Sequence, residues 1–550
     1  MPDIVRTCNI TGKQFTVSEL EQQLRASFDV GLSELHPTER MRELLAWRNI
    51  ATLYPIQCSL CSKQTLSFYN PENTFPKYCK ECFYSEAWEA PSADIDFTRP
   101  FFEQIHELYL RTPSLALSIT PPMENSDFCN AATAMKNCYL CFNAGSCENC
   151  MYVYTGVNNK ECLDLYAFGN SEMCYESAGG GRSYRLFWSQ WVISCSESYF
   201  LYDCQDCTDC CMSVGLRHKK YVFRNVQLSK DEYEKRMAAI NFGSHSQIQE
   251  LLAEYRKMKG SYPKKSMNGI SNEHVSGNYL YRCKDVLESY TMDTAERCVN
   301  CYNLLDRVKD CLDVCSFGYG LERAYYSSSV GMSFNVRYCF ICVEKSSNLE
   351  YCMEMRGCHD CFGSAGLRKK EYCILNKQYS KEEYAILKGK LIEHMKETGE
   401  YGHYFPKNMS PFGYNETEAQ LALPLTREQA QEQGYRWYEK SSPTYSQSSI
   451  AVLPDTIDDT DWEDVKGKII VCQESGRPFK IIKQEFDFYK KHGIPVPRLH
   501  PDARLAERFP TGELYNLHSA SCVQCSALVE TSMKNEDAIL CESCYQKTTV

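Results

Sequence analysis

What this chain lacks narrows its class before any motif is read. No stretch approaches 18 consecutive apolar residues, so no segment is long and apolar enough to cross a bilayer as a helix. The opening Met1-Pro2-Asp3-Ile4-Val5-Arg6 has neither the basic nor the apolar region of a signal peptide, which leads to the expectation of a cytoplasmic protein. P-loop, GxGxxG, HExxH and GxSxG patterns are missing, and the expectation is accordingly a protein that is not an enzyme. Positive charge is not in surplus either. A formal net charge of -11 is unsuited to a nonspecific nucleic-acid coat, which needs a basic surface.

Cysteine is what the chain has in abundance. Its 550 residues suggest roughly three to four domains of ~150 residues. Thirty-three cysteines would mean disulfides in a secreted chain, but without a leader they read as free or metal-bound thiols.

Two sets of cysteines repeat one ruler at opposite ends. Cys8 precedes His36-Pro37 by the same 28 positions that separate Cys472 from His500-Pro501. Cys58 and Cys522 each follow that histidine by 22. The sets close as Cys58-x-x-Cys61 with Cys79-x-x-Cys82, and Cys522-x-x-Cys525 with Cys541-x-x-Cys544. Paired CxxC motifs at this separation are the spacing of a structural zinc ribbon, because each turn aims two sulfurs at one point and a short hairpin brings the turns together. The eight cysteines Cys58, Cys61, Cys79, Cys82, Cys522, Cys525, Cys541 and Cys544 are therefore the expected ligands of two structural Zn ions. Cys8 and Cys472 read as packed thiols beside the Thr11-Gly12 and Ser475-Gly476 turns, and His36 and His500 as loop residues before proline.

The centre is duplicated too. Gly215-Leu216-Arg217 recurs as Gly366-Leu367-Arg368 and Ser229-Lys230 as Ser380-Lys381, an offset of 151. The expected units run 125–228 and 273–379, each followed by a helix, at 229–260 and 380–398. Ser229-x-x-Glu232 and Ser380-x-x-Glu383 have the form of capping boxes. In the first unit Cys138, Cys150, Cys162 and Cys174 stand 12 apart, as do Cys195 and Cys207. A small buried residue after a polar corner, repeated with few helix formers, suits stacked rungs of a parallel β-solenoid that share one core. The second unit keeps these phrases less regularly. The alternative for the central cysteines is a metal store, but Tyr325 and Met355 replace Cys174 and Cys204 in the second copy, as core positions allow and ligands do not. Gly179-Gly180-Gly181 reads as a loop excursion.

Between Lys466 and Arg508 ten basic residues face five acidic ones, with Phe479, Phe486, Phe488 and Tyr489 interleaved. Arg40, Arg42, Arg48, Arg504 and Arg508 lie between the Cys/His segments and the ribbons, where they form either a phosphate-facing strip or a solvated helix face. Residues 399–461 read as a Pro- and Tyr-containing connector whose aromatics dock on the centre.

Cys472-Gln-Glu-Ser-Gly476-Arg-Pro-Phe479, His500-Pro501-x-x-Arg504, the closing CxxC pairs, the Gly-Leu-Arg-x-Lys phrases and Ser410-Pro411-Phe412-Gly413-Tyr414-Asn415 resemble an uncharacterised bacterial family of cysteine-rich double zinc-ribbon proteins. The resemblance implies zinc binding and no catalytic activity.

The expected fold is mostly β with some α: a central parallel β-solenoid in two duplicated units, flanked by zinc-ribbon modules at 1–95 and 465–550. The expected function is a non-enzymatic binding protein. By fold analogy its ribbons contact nucleic acid or a nucleoprotein assembly, with Lys490, Lys491, Arg504 and Arg508 as candidate phosphate contacts. A protein-interaction scaffold and a metal-handling protein are the alternatives.

Overall fold

The computed structural model describes residues 2–549 except 158–161, 164, 170–171, 300–304, 316–320, 440–445, 447–449, 509–514, 516 and 535–536. Strand exceeds helix in a mixed α/β chain. Two long sheets dominate it, one of 13 strands between Ile119 and Gln227 and one of 10 between Gly269 and Gln378. All strand pairs in both are parallel apart from the hairpins that end them, Val222↔Gln227 and Cys373↔Gln378.

Register explains the 12-residue cysteine spacing. Tyr154 pairs with Tyr166, Tyr166 with Ala178 and Ala178 with Gln190, while on another face Tyr184 pairs with Ser196 and Ser196 with Thr208. The chain thus lies beside itself every 12 residues, advancing by one strand spacing of about 4.8 Å.

Within those 12 residues runs a period of three. Asn137, Leu140, Asn143, Ser146, Asn149 and Tyr152 all have φ between 50° and 56°, the left-handed region. The residues that follow them, Cys138, Cys141, Ala144, Cys147, Cys150 and Val153, are all buried. Four left-handed corners per 12 residues turn the chain through four short sides, each aiming one side chain inward. Asparagine tolerates this conformation best. Its amides also stack across turns: Asn125 Nδ2 donates to Asn137 Oδ1 at 3.0 Å, and Asn137 to Asn149 at 3.1 Å.

Among the described residues the interior holds no aromatic side chain, and cysteine and serine do the same job there. Cys138 Sγ donates to Lys136 O and Cys195 Sγ to Ile193 O. Ser189 Oγ donates to Phe187 O and also accepts the Leu201 N–H, 12 residues on, at 3.1 Å. Glycine allows the closest approach. Gly179-Gly180-Gly181, expected as a loop, lies in the strand Ala178–Gly181, because a Cβ on Gly180 would sit 1.8 Å from Val192 O.

The second unit slips to a 13-residue step at Cys298↔Cys311, Lys309↔Glu322 and Phe334↔Ser347. One added residue shifts every later inward position by one, which is why its cysteine phrases look irregular in sequence.

The N-terminal module contains the hairpin Ile4–Thr7/Gln14–Val17, helices α1 (Glu19–Ser27) and α2 (Pro37–Leu45), a second hairpin Tyr54–Gln57/Gln64–Ser67, and α3 (Lys80–Phe83). Helix α4 (Phe101–Arg111) leads to the first unit. The single helix expected at 229–260 is two, α5 (Lys230–Ala238) and α6 (His245–Ser261), broken around Gly243. Helix α7 (Lys381–Glu397) follows the second unit and carries the full Ser380/Glu383 capping box. The connector docks: Tyr404, Phe405, Phe412, Tyr414 and Tyr435 are buried in one core with Tyr338, Tyr351 and Met353 of the second unit. It also caps two helices, with Glu400 accepting the Phe101 and Phe102 N–H groups of α4, and Asp455 the Ser246 N–H of α6.

The modules cross over the centre. Leu24 and Met41 of α1 and α2 share a core with Tyr325 and Tyr338 of the second unit, while Phe486 and Tyr489 of the C-terminal module share one with Tyr175 and Trp188 of the first. The two four-cysteine segments hold on differently. Lys77–Tyr78 pairs with Ser114–Leu115, just before the first unit, and Ile539–Leu540 with Lys264–Lys265, just before the second.

Candidate metal centres

Each set of four cysteines is gathered by a hairpin turn and a helix start. Around Cys58, the Cys58 N–H donates to Lys63 O at 2.9 Å and the Ser62 N–H to Cys58 O at 2.8 Å, with Ser62 left-handed at φ 62°. Cys79 is the N-cap of α3 and Cys82 lies within that helix. The C-terminal set repeats this. Cys522 N–H donates to Ala527 O at 2.9 Å, Ser526 N–H to Cys522 O at 2.8 Å, and Cys541 caps the helix Glu542–Thr548.

In both sets the four sulfurs lie within 4.8 Å of one another. Cys61 and Cys79 Sγ are 3.8 Å apart, Cys525 and Cys541 Sγ 3.6 Å. A tetrahedral ion with M–S bonds of ~2.3 Å requires edges of about 3.8 Å, so four thiolates placed in this way fit one. Among the described residues these are the two groups in which three or more His, Cys, Asp or Glu ligand atoms converge.

Backbone N–H groups prepare the first ligand of each set. Burial raises the Cys58 pKa, but the N–H groups of Cys61, Cys79 and Leu60 outweigh it and bring the thiol down to about 6. The N–H groups of Cys541, Cys525 and Gln524 bring Cys522 to about 6. Such thiols ionise readily, as metal binding requires.

Cys8 and Cys472 occupy the same turn without the companion ligands. Cys8 N–H donates to Lys13 O and Gly12 N–H to Cys8 O, and Cys472 makes the matching bonds with Arg477 and Gly476. His36 is the N-cap of α2, where Cys79 stands in α3, but its Nδ1 accepts the Thr38 N–H at 3.2 Å. Thr11 stands where Cys61 is the second ligand. Each terminal module is therefore itself a doubled knuckle, a signal present in Cys8-x-x-Thr-Gly-Lys13-Gln14 against Cys58-x-x-Cys-Ser-Lys63-Gln64 and missed by the longer ruler.

The arginines turn inward, a correction to both expectations for them, the phosphate-facing strip and the solvated helix face. Arg40 is 1 % exposed, Arg48 3 %, Arg504 1 % and Arg508 7 %. Arg25 and Arg40 both meet Asp313 of the second unit, at 3.4 and 3.0 Å, and both meet Glu21. Arg42 donates to Tyr414 OH and Leu423 O in the connector, and Arg48 to Glu418. Arg504 Nη1 donates to Tyr489 OH and its Nη2 lies 3.7 Å from Glu485, which accepts from Tyr152 OH of the first unit at 2.8 Å. These guanidiniums join modules to units, and the burial that gives them carboxylate and phenol partners takes them from solvent. Lys490 and Lys491 remain at the surface, with Lys490 Nζ donating to Ile457 O and Asp458 O.

A buried carboxylate anchors the N-terminal four-cysteine segment. Glu354 Oε1 accepts from Tyr69 OH at 2.6 Å, Tyr109 OH at 2.8 Å and Ser114 Oγ at 3.0 Å, and burial still holds its pKa above the ordinary value against those three donors. Compared with protein-family profiles, curated proteins and solved structures, the chain gives no match in any of the three.

Proposed function

We propose that this is a zinc-binding, non-enzymatic interaction scaffold: two zinc-ribbon heads held on a cysteine-laddered parallel β-solenoid of two coils. The carrying observation is that both four-cysteine sets converge to tetrahedral spacing on a knuckle, a hairpin and a helix start. Four sulfur donors suit zinc and leave no open position for substrate, so the ions hold structure. The 12-residue parallel register supports the solenoid reading, and thiols donating inside it suit a reducing cytoplasm. The resemblance to a cysteine-rich double-ribbon family points the same way. Native purification with metal analysis and a nuclease treatment of the same sample tests this reading. Two zinc ions per chain and protein partners that persist after nuclease treatment support it, while one or no zinc refutes it.

Contact with nucleic acid is the second reading, favoured by the exposed Lys490 and Lys491 at the C-terminal end of the helix Lys483–His492. It predicts salt-dependent binding that weakens when both lysines are changed to Glu.

A further inference from the structure

The two units end alike but are covered differently. Each closes in a hairpin, with Arg224-Asn225 at the tip in the first and Leu375-Asn376 in the second, all four left-handed. Asn225 and Asn376 use their side chains identically, each donating Nδ2 to a carbonyl 11 residues back, of Val214 or Ala365. A helix follows each tip, α5 or α7, and a second helix packs beside it: α6 on the first unit, α4 on the second.

In the second unit an extended segment fills the space between tip and helices. Ala93 N–H donates to Leu375 O at 3.0 Å, and Asn376 Nδ2 donates also to Pro91 O at 2.8 Å. Asp96 N–H donates to Gln104 Oε1 of α4 at 2.9 Å, and the Asp94 carboxylate pairs with Lys377. Ala93 and Ile95 pack on the core beneath, and Leu375, Asn376 and Leu391 are buried.

In the first unit the stretch beside the second helix has its own counterpart, Asn241 N–H donating to Gln247 Oε1 of α6 as Asp96 N–H does to Gln104, and the space against the tip is open. Arg224 and Asn225 are exposed, as is Val226 where Lys377 stands in the second unit, and Ile240 is half-buried where Leu391 is fully covered. A groove of about 380 Å³ lies between Phe223, Arg224, Arg236, Ile240, Leu251 and Glu254. No backbone N–H among the described residues donates to Arg224 O as Ala93 does to Leu375 O.

We propose that this groove docks a short extended segment of a partner protein, acidic and apolar in alternation like Ala93-Asp94-Ile95-Asp96-Phe97. The segment's N–H bonds Arg224 O, its carbonyl takes the second Asn225 amide hydrogen, its apolar residues cover Phe223 and Ile240, and its carboxylate takes Arg236 from the exposed pair that Arg236 makes with Glu232, while Arg224 stays paired with Glu254. This is extended-peptide recognition through main-chain bonds and side-chain pockets. The chain's own segment on the other unit is the template for the occupant. The site stands apart from both metal centres and does not depend on what the ribbons contact.

The test titrates a fluorescent peptide of residues 90–98, Ala-Pro-Ser-Ala-Asp-Ile-Asp-Phe-Thr, onto the full metal-loaded chain. Saturable one-to-one binding is expected, weakened at least about tenfold, or roughly 1.4 kcal/mol, by Arg236→Glu and again by Ile240→Glu. Circular dichroism and metal content of the variants establish that they fold. Absence of saturable binding up to about 1 mM, a range in which even weak peptide contacts register, overturns the proposal. So does binding that both variants leave unchanged, which would place the peptide on the second unit in exchange for residues 91–97. Sedimentation that finds dimers abolished by Arg236→Glu overturns it in favour of a second copy of this chain.

Discussion

From Asn130 onward the first unit keeps a strict 12-residue step between its described strands, whereas the second inserts a thirteenth residue three times and remains one parallel sheet. The difference teaches where the fold carries its constraints. At the left-handed pair Glu344-Lys345 the extra residue leaves the inward triplets on either side in place, and the interior of Cys339, Cys342, Leu349, Cys352 and Met355 stays closed. Among the described residues the inward clusters hold Cys, Ala, Val, Leu and Met and no aromatic ring, while corners accept variation and can be put to use. Asp313, a left-handed corner of the second unit, receives Arg25 and Arg40 of the N-terminal module.

The terminal modules differ in the same way. Phe68, Tyr69 and Phe75 of the N-terminal ribbon belong to the largest core of the molecule, while Cys522, Leu540, Cys544 and Tyr545 of the C-terminal ribbon form a small cluster of their own. The largest effect that separates them is loss of metal. Cys58→Ser and Cys522→Ser should each remove one metal equivalent, and each ribbon should lose on the order of 10 kcal/mol of local folding free energy. Metal analysis checks the first point. Thermal melts should then find Cys58→Ser lowering the stability of the whole chain and Cys522→Ser loosening mainly its own end; equal melts would erase the contrast.

Next in size is the docking of the modules. Asp313→Ala removes one of the two carboxylates that pair with Arg25 and Arg40 in a buried site and should cost about 3–5 kcal/mol in urea unfolding. Glu485→Ala, which strands Arg504 beside Tyr489 and Tyr152, should cost a similar amount and release the opposite module. Limited proteolysis reads which module has come free in each variant.

A smaller effect depends on pH. Burial raises the Glu288 pKa from 4.5 to about 7, with Glu21, Glu530 and Asp313 adding to it and Arg40 opposing. A carboxyl raised in the folded state binds its proton more tightly there, so this stability is complete below pH 4.5 and is lost as pH rises through about 7. Stability should fall by about 1–3 kcal/mol across that window, and Glu288→Gln should remove the slope. A variant whose melting temperature keeps the wild-type pH profile would rule out this group.

The smallest effect is expected inside the ladder. Cys195→Ser should cost less than about 1 kcal/mol, because Ser183, Ser189 and Ser198 already stand at inward positions and donate to the carbonyl two residues back. Cys195→Leu should cost about 1–3 kcal/mol through overpacking, with metal content unchanged in both. A loss of metal from either would reopen the metal-handling reading of the central cysteines.

Much of the architecture is legible in spacing. The CxxC pairs locate both four-cysteine groups that could hold a metal ion, since ligand geometry ties sulfur separation to a short hairpin, and the step from Cys138 to Cys150 to Cys162 matches the strand register. The triplet period is equally present in the sequence and goes unnoticed beside the longer one: Cys138, Cys141, Cys147, Cys150, Cys162 and Cys174 all differ by multiples of three. Gly179-Gly180-Gly181 reads wrongly as a loop because the close approach of Val192 O belongs to the next turn of chain, which local sequence does not reveal.

Short-range chemistry is therefore settled by the order of residues: which sulfurs converge, which side chains point inward, where helices begin. Long-range placement is not. That Arg504 turns toward Glu485, that the N-terminal helices lie on the second unit, and that residues 91–97 fill one groove and leave its counterpart open all depend on surfaces hundreds of residues apart. A charged side chain reads the same on a solvated helix face as in a buried ion pair, and only the packing of two distant segments decides between them.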